Sequence, residues 1–226
     1  ATIADRCDTP FTYNPASGYA ALSGDDELSA GTGYVLNCSG LSGPTPVGVS
    51  GTATDAKTVR VEPGWNVVGV FDAAIQPENV TPQSRLTSDF FAFDATMGLQ
   101  RVRPSSNTAL QPGRAYWVRA GQSGTLDMDT STPGPSSAAT VATTQTGSEA
   151  QADAVRLVVS DTEGRRATRR LVPNLSADAM SRFALPPAVP GSAFDVRFST
   201  GTTAAPLDGD ATLAVQGTRG PVTLRA

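Results

Sequence analysis

The chain has 226 residues, enough for two or three compact units, and its 22 glycines and 17 prolines favour short strands and turns over helices. A formal net charge of −4 argues against a nucleic-acid partner, because such binders concentrate excess basic charge on one face. No histidine is present, which excludes Ser-His-Asp and Cys-His catalysis and the common zinc sites. No run of about 20 apolar residues occurs, so the sequence predicts no membrane span.

An internal repeat occupies the first part of the chain. Aromatic, leucine and glycine positions of residues 11–36 recur in the same order over residues 91–118, with a short insertion in one turn. The matched positions are Phe11 and Phe91, Tyr13 and Phe93, Gly18 and Gly98, Leu28 and Leu110, Gly31 and Gly113, Tyr34 and Tyr116, Val35 and Trp117, and Leu36 and Val118. Alternating apolar residues in both copies predict tandem β-rich repeats over residues 1–48 and 49–129.

The first copy lacks a counterpart of the apolar stretch 59–71, which precedes the second copy and contains Gly64-Trp65-Asn66. Either the chain was cut from a longer protein, or a neighbouring molecule completes the first repeat. Unpaired strand edges are costly when buried and adhesive when exposed, so the second explanation predicts strand donation between subunits. The predicted donors are the N-terminal residues and residues 128–151, because both are extended and have no evident sheet of their own.

Two cysteines, Cys7 and Cys38, both fall in the first repeat. In a secreted protein they would most simply form a disulfide, closing a loop of about 30 residues and stabilising the fold by roughly 3–4 kcal/mol. The alternative is two buried free thiols. The second repeat has no cysteine, so the bond is interpreted as compensation for the missing strands.

Aromatic residues offer one candidate binding site. Trp117, Trp65 and Tyr19 are candidates for a platform on which sugar rings stack. The alternative is that rings at matched positions fill the core of each repeat. Trp117 decides between the two, because it falls on the strand face opposite Tyr116; an exposed ring indicates binding and a buried ring removes that indication.

Acidic residues offer the other candidate sites. Two pairs place carboxylates at alternating positions, as calcium-binding loops do, although neither has the full ligand set. The pairs are Asp127 with Asp129 and Asp208 with Asp210. Calcium is the sole cofactor that the sequence suggests. Asp25-Asp26-Glu27 holds neighbouring carboxylates of the kind that glycosidases use, but its place in a turn favours a solvated acidic loop.

The rest of the chain divides into a linker and a second β-rich unit. Residues 130–151 are rich in Ser, Thr, Pro and Ala and are predicted to be a linker or extended segment. Short alternating apolar runs over residues 152–226 predict a small β-sandwich. The run from Arg165 to Arg170 is predicted to be a solvated strand, with Arg165 and Arg169 on one face and Arg166 and Arg170 on the other.

Residues of the second repeat resemble a β-module with a "GWN … PGxGYWV" pattern, found in large secreted and surface proteins of Bacteroidota and their relatives. The resemblance is carried by Gly64-Trp65-Asn66, Phe91-Ala92-Phe93, Gly98 and the run Pro112-Gly113-Arg114-Ala115-Tyr116-Trp117-Val118. It implies export and a role outside the cell, and it carries over no catalytic residue.

The C-terminal unit resembles a β-domain common near the ends of exported Rhodothermota proteins, which often carry a sorting domain for type IX secretion. The resemblance is carried by Leu157-Val158-Val159-Ser160-Asp161, Leu185-Pro186-Pro187 and the run from Phe194 to Phe198. It also implies export, and its motifs are structural ones.

These features predict an all-β, exported, non-enzymatic protein that lies outside the cell or on its surface. The predicted role is structural, as a self-assembling filament or surface-layer subunit completed by strand donation. Its partners are then other copies of itself or a larger surface protein. The alternative is a carbohydrate-binding or adhesion module of a larger secreted protein, with polysaccharide as its ligand.

Overall fold

The structure, a computed structural model, describes residues 7, 9–23, 26–36, 38, 56–94, 96–103, 108–128, 154–191 and 193–226. Within these ranges the regular structure is mostly strands with one short α-helix, so the predicted all-β class is confirmed. The chain divides into two compact units, Ala1–Ala92 with Arg101–Gly134, and Phe93–Gln100 with Pro135–Ala226. The predicted linker 130–151 lies outside the described residues.

The strands up to residue 128 form three sheets. In chain order they are β1 (Phe11–Asn14), β2 (Gly18–Ala21), β3 (Thr58–Val61), β4 (Gly64–Gly69), β5 (Phe90–Asp94), β6 (Gly98–Val102), β7 (Ala115–Ala120) and β8 (Gly124–Asp127). A four-stranded sheet has the order β4-β7-β5-β6, β3 pairs with β8, and β1 pairs with β2. Residues 93–100, at the far end of β5 and β6, group with the second unit.

The main core of the first unit lies on one face of the four-stranded sheet. Alternation along β7 turns Tyr116 and Val118 to this face, where they pack with Val59 and Val61 of β3 and Leu126 of β8. Each of these side chains is buried, and burial of a side chain of this size stabilises the fold by about 1.5–3 kcal/mol. Ile75, Val80, Phe90 and Leu110 extend the same cluster.

The β1–β2 hairpin covers the opposite face of the same sheet. Trp117 points to this side because it alternates with Tyr116 and Val118 along β7. Its ring makes edge contacts with Tyr13 and Tyr19, with ring centroids 4.7 and 6.0 Å apart. Both faces of the sheet are therefore packed.

Residues 31–33 pair with the free edge of β4. The Gly33 N–H donates to the Val67 carbonyl at 3.0 Å, and the Gly69 N–H donates to the Gly31 carbonyl at 2.7 Å. A side chain at Gly33 has no room, because a Cβ there would lie 2.3 Å from Val67 Cγ1 and 2.7 Å from Ala115 Cβ. A glycine at this position thus permits the close approach of the N-terminal segment to the sheet.

The second unit contains two small sheets. Its elements are β9 (Val155–Ser160), β10 (Arg166–Val172), α1 (Ala177–Met180), β11 (Asp195–Phe198), β12 (Ala204–Pro206), β13 (Leu213–Gln216) and β14 (Thr223–Arg225). One sheet has the order β12-β10-β9-β14, with β10 and β12 parallel, and β11 pairs with β13 in the other. Val159 and Ala167 of the larger sheet pack against Phe194 and Val196, so the sheets share a core as a small sandwich requires.

Two of the arginines predicted to be solvated turn toward the core, so that prediction is wrong for Arg169, which is buried, and for Arg165, which is largely covered and pairs with Asp161. Both lie on the same face as Ala167, which turns toward the core. Arg169 is 6% exposed; its Nε and Nη2 donate to the Val196 carbonyl and its Nη1 donates to the Thr168 carbonyl at 2.6 Å. Burial lowers the pKa of Arg169 to about 10. The predicted alternation places these groups on the core side, where main-chain acceptors satisfy Arg169.

In the part of the chain that the structure describes, no helix is both long and apolar enough to cross a bilayer.

Candidate functional site

The structure describes three of the four acidic residues predicted as calcium ligands. Asp127 ends β8 and exchanges two main-chain hydrogen bonds with Thr81, and Asp129 lies outside the described residues. Asp208 and Asp210 lie in an exposed turn. The described ranges contain no group of three or more His, Cys, Asp or Glu side chains able to hold a metal ion.

The acidic turn of the first repeat is partly described. Asp25 lies outside the described residues, and Asp26 and Glu27 are exposed. Asp26 Oδ2 accepts a hydrogen bond from the Ser23 N–H at 2.6 Å, as side chains that close turns do. The Asp26 side chain therefore closes the turn in which it lies.

Cys7 and Cys38 are joined by a disulfide with an S–S distance of 2.08 Å. The same two residues form an antiparallel β-bridge, so the bond lies across a strand pair. It links the segment that leads into β1 to the segment that follows Val35. The disulfide thus closes a covalent loop that contains β1, β2 and residues 31–36.

The proposed sugar platform of Trp117, Trp65 and Tyr19 is not an exposed surface. Trp117 is 3% exposed and lies against Tyr19 and Tyr13 of the hairpin. Trp65 is half-buried and makes an edge contact with Phe91, with centroids 5.7 Å apart. Burial also raises the pKa of Tyr13. A ring must present a free face to stack on a sugar, so Trp117 is corrected from a platform residue to a core residue.

The two segments predicted to be repeats form the same tyrosine hydrogen bond at the positions that the sequence matches. The Tyr34 hydroxyl accepts from the Ser29 N–H at 2.7 Å, and the Tyr116 hydroxyl accepts from the Gln111 N–H at 2.8 Å. In both copies the donor lies five residues before the tyrosine. The ring therefore holds the preceding turn in the same way in each copy.

Turn geometry matches as well. At the end of β1, Asn14 Oδ1 accepts from two main-chain N–H groups, and at the end of β5, Asp94 Oδ1 accepts from two at the equivalent positions. The turn glycines also agree in their left-handed backbone, with φ of +80° and +70° at Gly18 and Gly98. Each copy thus contains a hairpin closed by an Asx turn and a glycine.

The strand that follows each hairpin pairs in the same way. Val35 and Phe11 exchange two main-chain hydrogen bonds of 2.9 Å, and Trp117 lies opposite Phe91 in the second copy. Because successive main-chain groups of a strand point to opposite edges, those of Tyr34 and Leu36 point away from β1. Among the described residues, none pairs with the main chain of Tyr34 or Leu36 on that edge.

Apolar side chains lie beside the main-chain edge of Tyr34 and Leu36. We call the surface formed by Leu28, Tyr34 and Leu36 the open face. Leu28 is 49% exposed, whereas its match Leu110 is fully buried at 0%. Leu36 is 39% exposed, whereas its match Val118 is also at 0%. The Ser29 N–H donates to the Tyr34 hydroxyl, so the residue next to Leu28 is held by that ring. In the second copy these positions are covered by β3, β4 and the segment that holds Ile75.

The open face is the candidate site. Sequence analysis predicted that the first repeat lacks its opening strands, and the matched leucines could have been recognised from that prediction as side chains without cover. It missed that the hairpin of the first copy would bury Trp117. The signal for that was Gly33, a glycine where the second copy has Ala115.

The charged cluster of the second unit is structural. Asp161 accepts hydrogen bonds from the Arg165 side chain at 2.8 and 2.5 Å, and from the N–H groups of Glu163, Arg165 and Arg219. Burial raises the pKa of Asp161, but these hydrogen bonds outweigh it and leave the pKa below its usual value. Asp161 therefore fastens the β9–β10 turn to the segment before β14.

Comparisons with known proteins add no relative. No family model, no curated protein and no solved structure matches the chain.

Proposed function

We propose that the chain is a non-enzymatic structural protein of the cell exterior, which assembles when its open face is completed by a strand from another molecule. The observation that carries the proposal is a difference in side-chain exposure between matched positions of the two repeats. Leu28 and Leu36 are exposed where Leu110 and Val118 are buried. An apolar face beside an unpaired strand edge favours association by strand addition.

The matched geometry of the two copies supports a tandem duplication. The shared tyrosine hydrogen bonds, Asx turns and strand pairings make chance similarity of the two sequences a poor explanation. If one module is packed on both faces and its duplicate leaves apolar side chains exposed, the duplicate can bind another molecule.

The disulfide supports a place outside the cell. Cys7 and Cys38 form a bond of the kind that persists in oxidising compartments and is rare in the cytosol. The resemblance of the second repeat and of the C-terminal unit to modules of exported proteins points the same way. The partners are then other copies of the chain or a larger surface protein.

The test is the size and appearance of the native, unboiled protein. Light scattering after gel filtration and negative-stain microscopy are expected to show filaments or ordered arrays. A sample held above a denaturing urea concentration serves as the dissociated control. A homogeneous monomer near 23.2 kDa at all concentrations would contradict self-assembly.

A further inference from the structure

We infer that the open face accepts a strand–corner–strand segment of the β3–β4 type, carried by another polypeptide. The inference rests on the proposed function and adds to it the chemistry of the partner. The incoming strand pairs with the main chain of Tyr34 and Leu36, and its apolar side chains cover Leu28 and Leu36.

The second copy provides the register. Along β4, Val68 lies opposite Tyr116 and Asn66 lies opposite Val118. The Val70 N–H donates to the Arg114 carbonyl. The main-chain N–H and C=O groups of the even-numbered residues of β4 therefore point toward β7. The equivalent edge in the first copy is the one on which Tyr34 and Leu36 have no described partner.

Transfer of this register to the first copy positions the partner. The residue that corresponds to Val68 pairs with Tyr34, and the one that corresponds to Asn66 pairs with Leu36. In the second copy, Ile75 and Leu110 exchange hydrogen bonds of 3.0 and 2.8 Å, so the partner residue that corresponds to Ile75 covers Leu28.

The corner between the two strands restricts the partner further. Asn66 Oδ1 accepts from the Glu62 N–H at 3.0 Å, and its Nδ2 donates to the carbonyls of Glu62 and Gly64 at 2.8 and 3.0 Å. This side chain fixes the turn from β3 into β4, which delivers Val59 and Val61 onto the core. A lone strand would pair the edge but leave the leucines poorly covered. The partner therefore carries a Gly-x-Asn corner between two apolar strands.

The donor segment comes from outside this unit. The chain's own copy of it is already in place, because Val61 and Val68 are 0% and 1% exposed in the core beside β7. Removing it to fill the first copy would uncover the second. The open face therefore needs a second segment of the same type. Since the described part of a folded copy of this chain keeps its β3–β4 segment in its own core, the partner that carries the second segment is the larger surface protein rather than another copy.

The experiment uses the full chain and a fluorescent synthetic peptide of residues 57–76 as the probe. Fluorescence anisotropy is expected to show saturable binding at one site. A peptide with Val68→Asp and Ile75→Asp is the matched control, and it is expected to bind at least about tenfold more weakly because its charges would be buried.

Protein variants locate the site. Leu36→Arg and Leu28→Arg change exposed residues, and each is expected to weaken binding of the unmodified peptide by at least about tenfold. Val215→Arg, an equally exposed apolar residue of the second unit, is expected to leave binding unchanged. Circular dichroism checks that each variant is folded. A photo-crosslinker at the peptide position of Ile75 is expected to label residues near Leu28.

The inference would be overturned if the peptide does not bind, or if Leu36→Arg and Leu28→Arg bind it as tightly as the parent chain does. Crosslinks confined to residues 108–120 would also overturn it. The last outcome would mean that the peptide exchanges with β4 in the second copy. Peptide binding to the open face of a protein that stays monomeric would leave the inference standing and reject self-assembly. Assembly that persists in Leu36→Arg, with no peptide binding, would place the assembly surface elsewhere.

Discussion

Trp117 is the residue that ties the N-terminal hairpin to the four-stranded sheet. Its ring makes edge contacts with Tyr13 and Tyr19, and it is 3% exposed. Trp117→Ala is expected to lower the free energy of unfolding by about 3–5 kcal/mol, the usual loss for a large buried aromatic residue. Urea unfolding followed by circular dichroism measures the change.

The control for Trp117 is Phe93→Ala. Phe93 is 41% exposed, so its truncation is expected to change stability by no more than about 0.5 kcal/mol. Equal urea midpoints for the two variants would show that Trp117 does not act as a core residue.

Asp161 makes the stability of the second unit sensitive to acid. Because the pKa of Asp161 is lowered in the folded state, its stabilising effect is present above the unfolded pKa, near 4, and is lost as the pH falls through the folded value. Asp161→Asn is therefore expected to melt at a lower temperature than the parent at pH 7. The difference is expected to shrink below about pH 4.

Thermal unfolding by circular dichroism at a series of pH values tests this dependence. Asp208→Asn, which changes an exposed carboxylate, is the control and is expected to melt with the parent throughout. A difference between Asp161→Asn and the parent that stays constant down to pH 2 would mean that the charge of Asp161 does not contribute.

At the scale of elements, the close approach of residues 31–33 to β4 depends on Gly33. Gly33→Ala places a methyl group in contact with Val67 Cγ1 and Ala115 Cβ and is expected to destabilise the first unit by about 1–3 kcal/mol. The double variant Gly33→Ala with Val67→Ala removes the closer contact. A double-mutant cycle in urea is expected to show that the second change recovers part of the loss. Strictly additive losses would indicate that the two residues do not meet.

The strands themselves were predictable because their side chains alternate. Period-two spacing assigns a core face to several side chains, and they do lie in the core: Val59, Val61, Tyr116, Val118 and Val159. Their pairing partners were not predictable, since β3 pairs with β8 and β4 with β7, far along the chain. Alternation identifies a face but does not say which other strand will cover it.

The candidate site was predictable in part for the same reason. The matched positions could have shown that Leu28 and Leu36 correspond to core residues whose cover the first repeat is predicted to lack, and both are exposed. The burial of Trp117 was not predictable, because both of its neighbours on that side come from a hairpin about 100 residues earlier in sequence. Likewise, Arg169 alternates as expected, yet its carbonyl acceptor at Val196 belongs to another sheet.

At the scale of the whole molecule, the absence of histidine gives the chain an unusually flat charge profile around neutral pH. The side chain that most often changes charge between pH 5 and 8 is missing, so a switch of assembly by mild acid has no imidazole to act through. The assembly that we propose would instead respond to the supply of partner strands.

The disulfide has a mechanical consequence. When the chain is pulled from its two ends, tension passes directly from Cys7 to Cys38 and bypasses the backbone between them, a sequence separation of 31 residues. Extended fully, that segment would add on the order of 100 Å of length. The strand with the open edge is thus part of a covalent loop that cannot lengthen under load, and reduction of one disulfide would turn a stiff link into an extensible one.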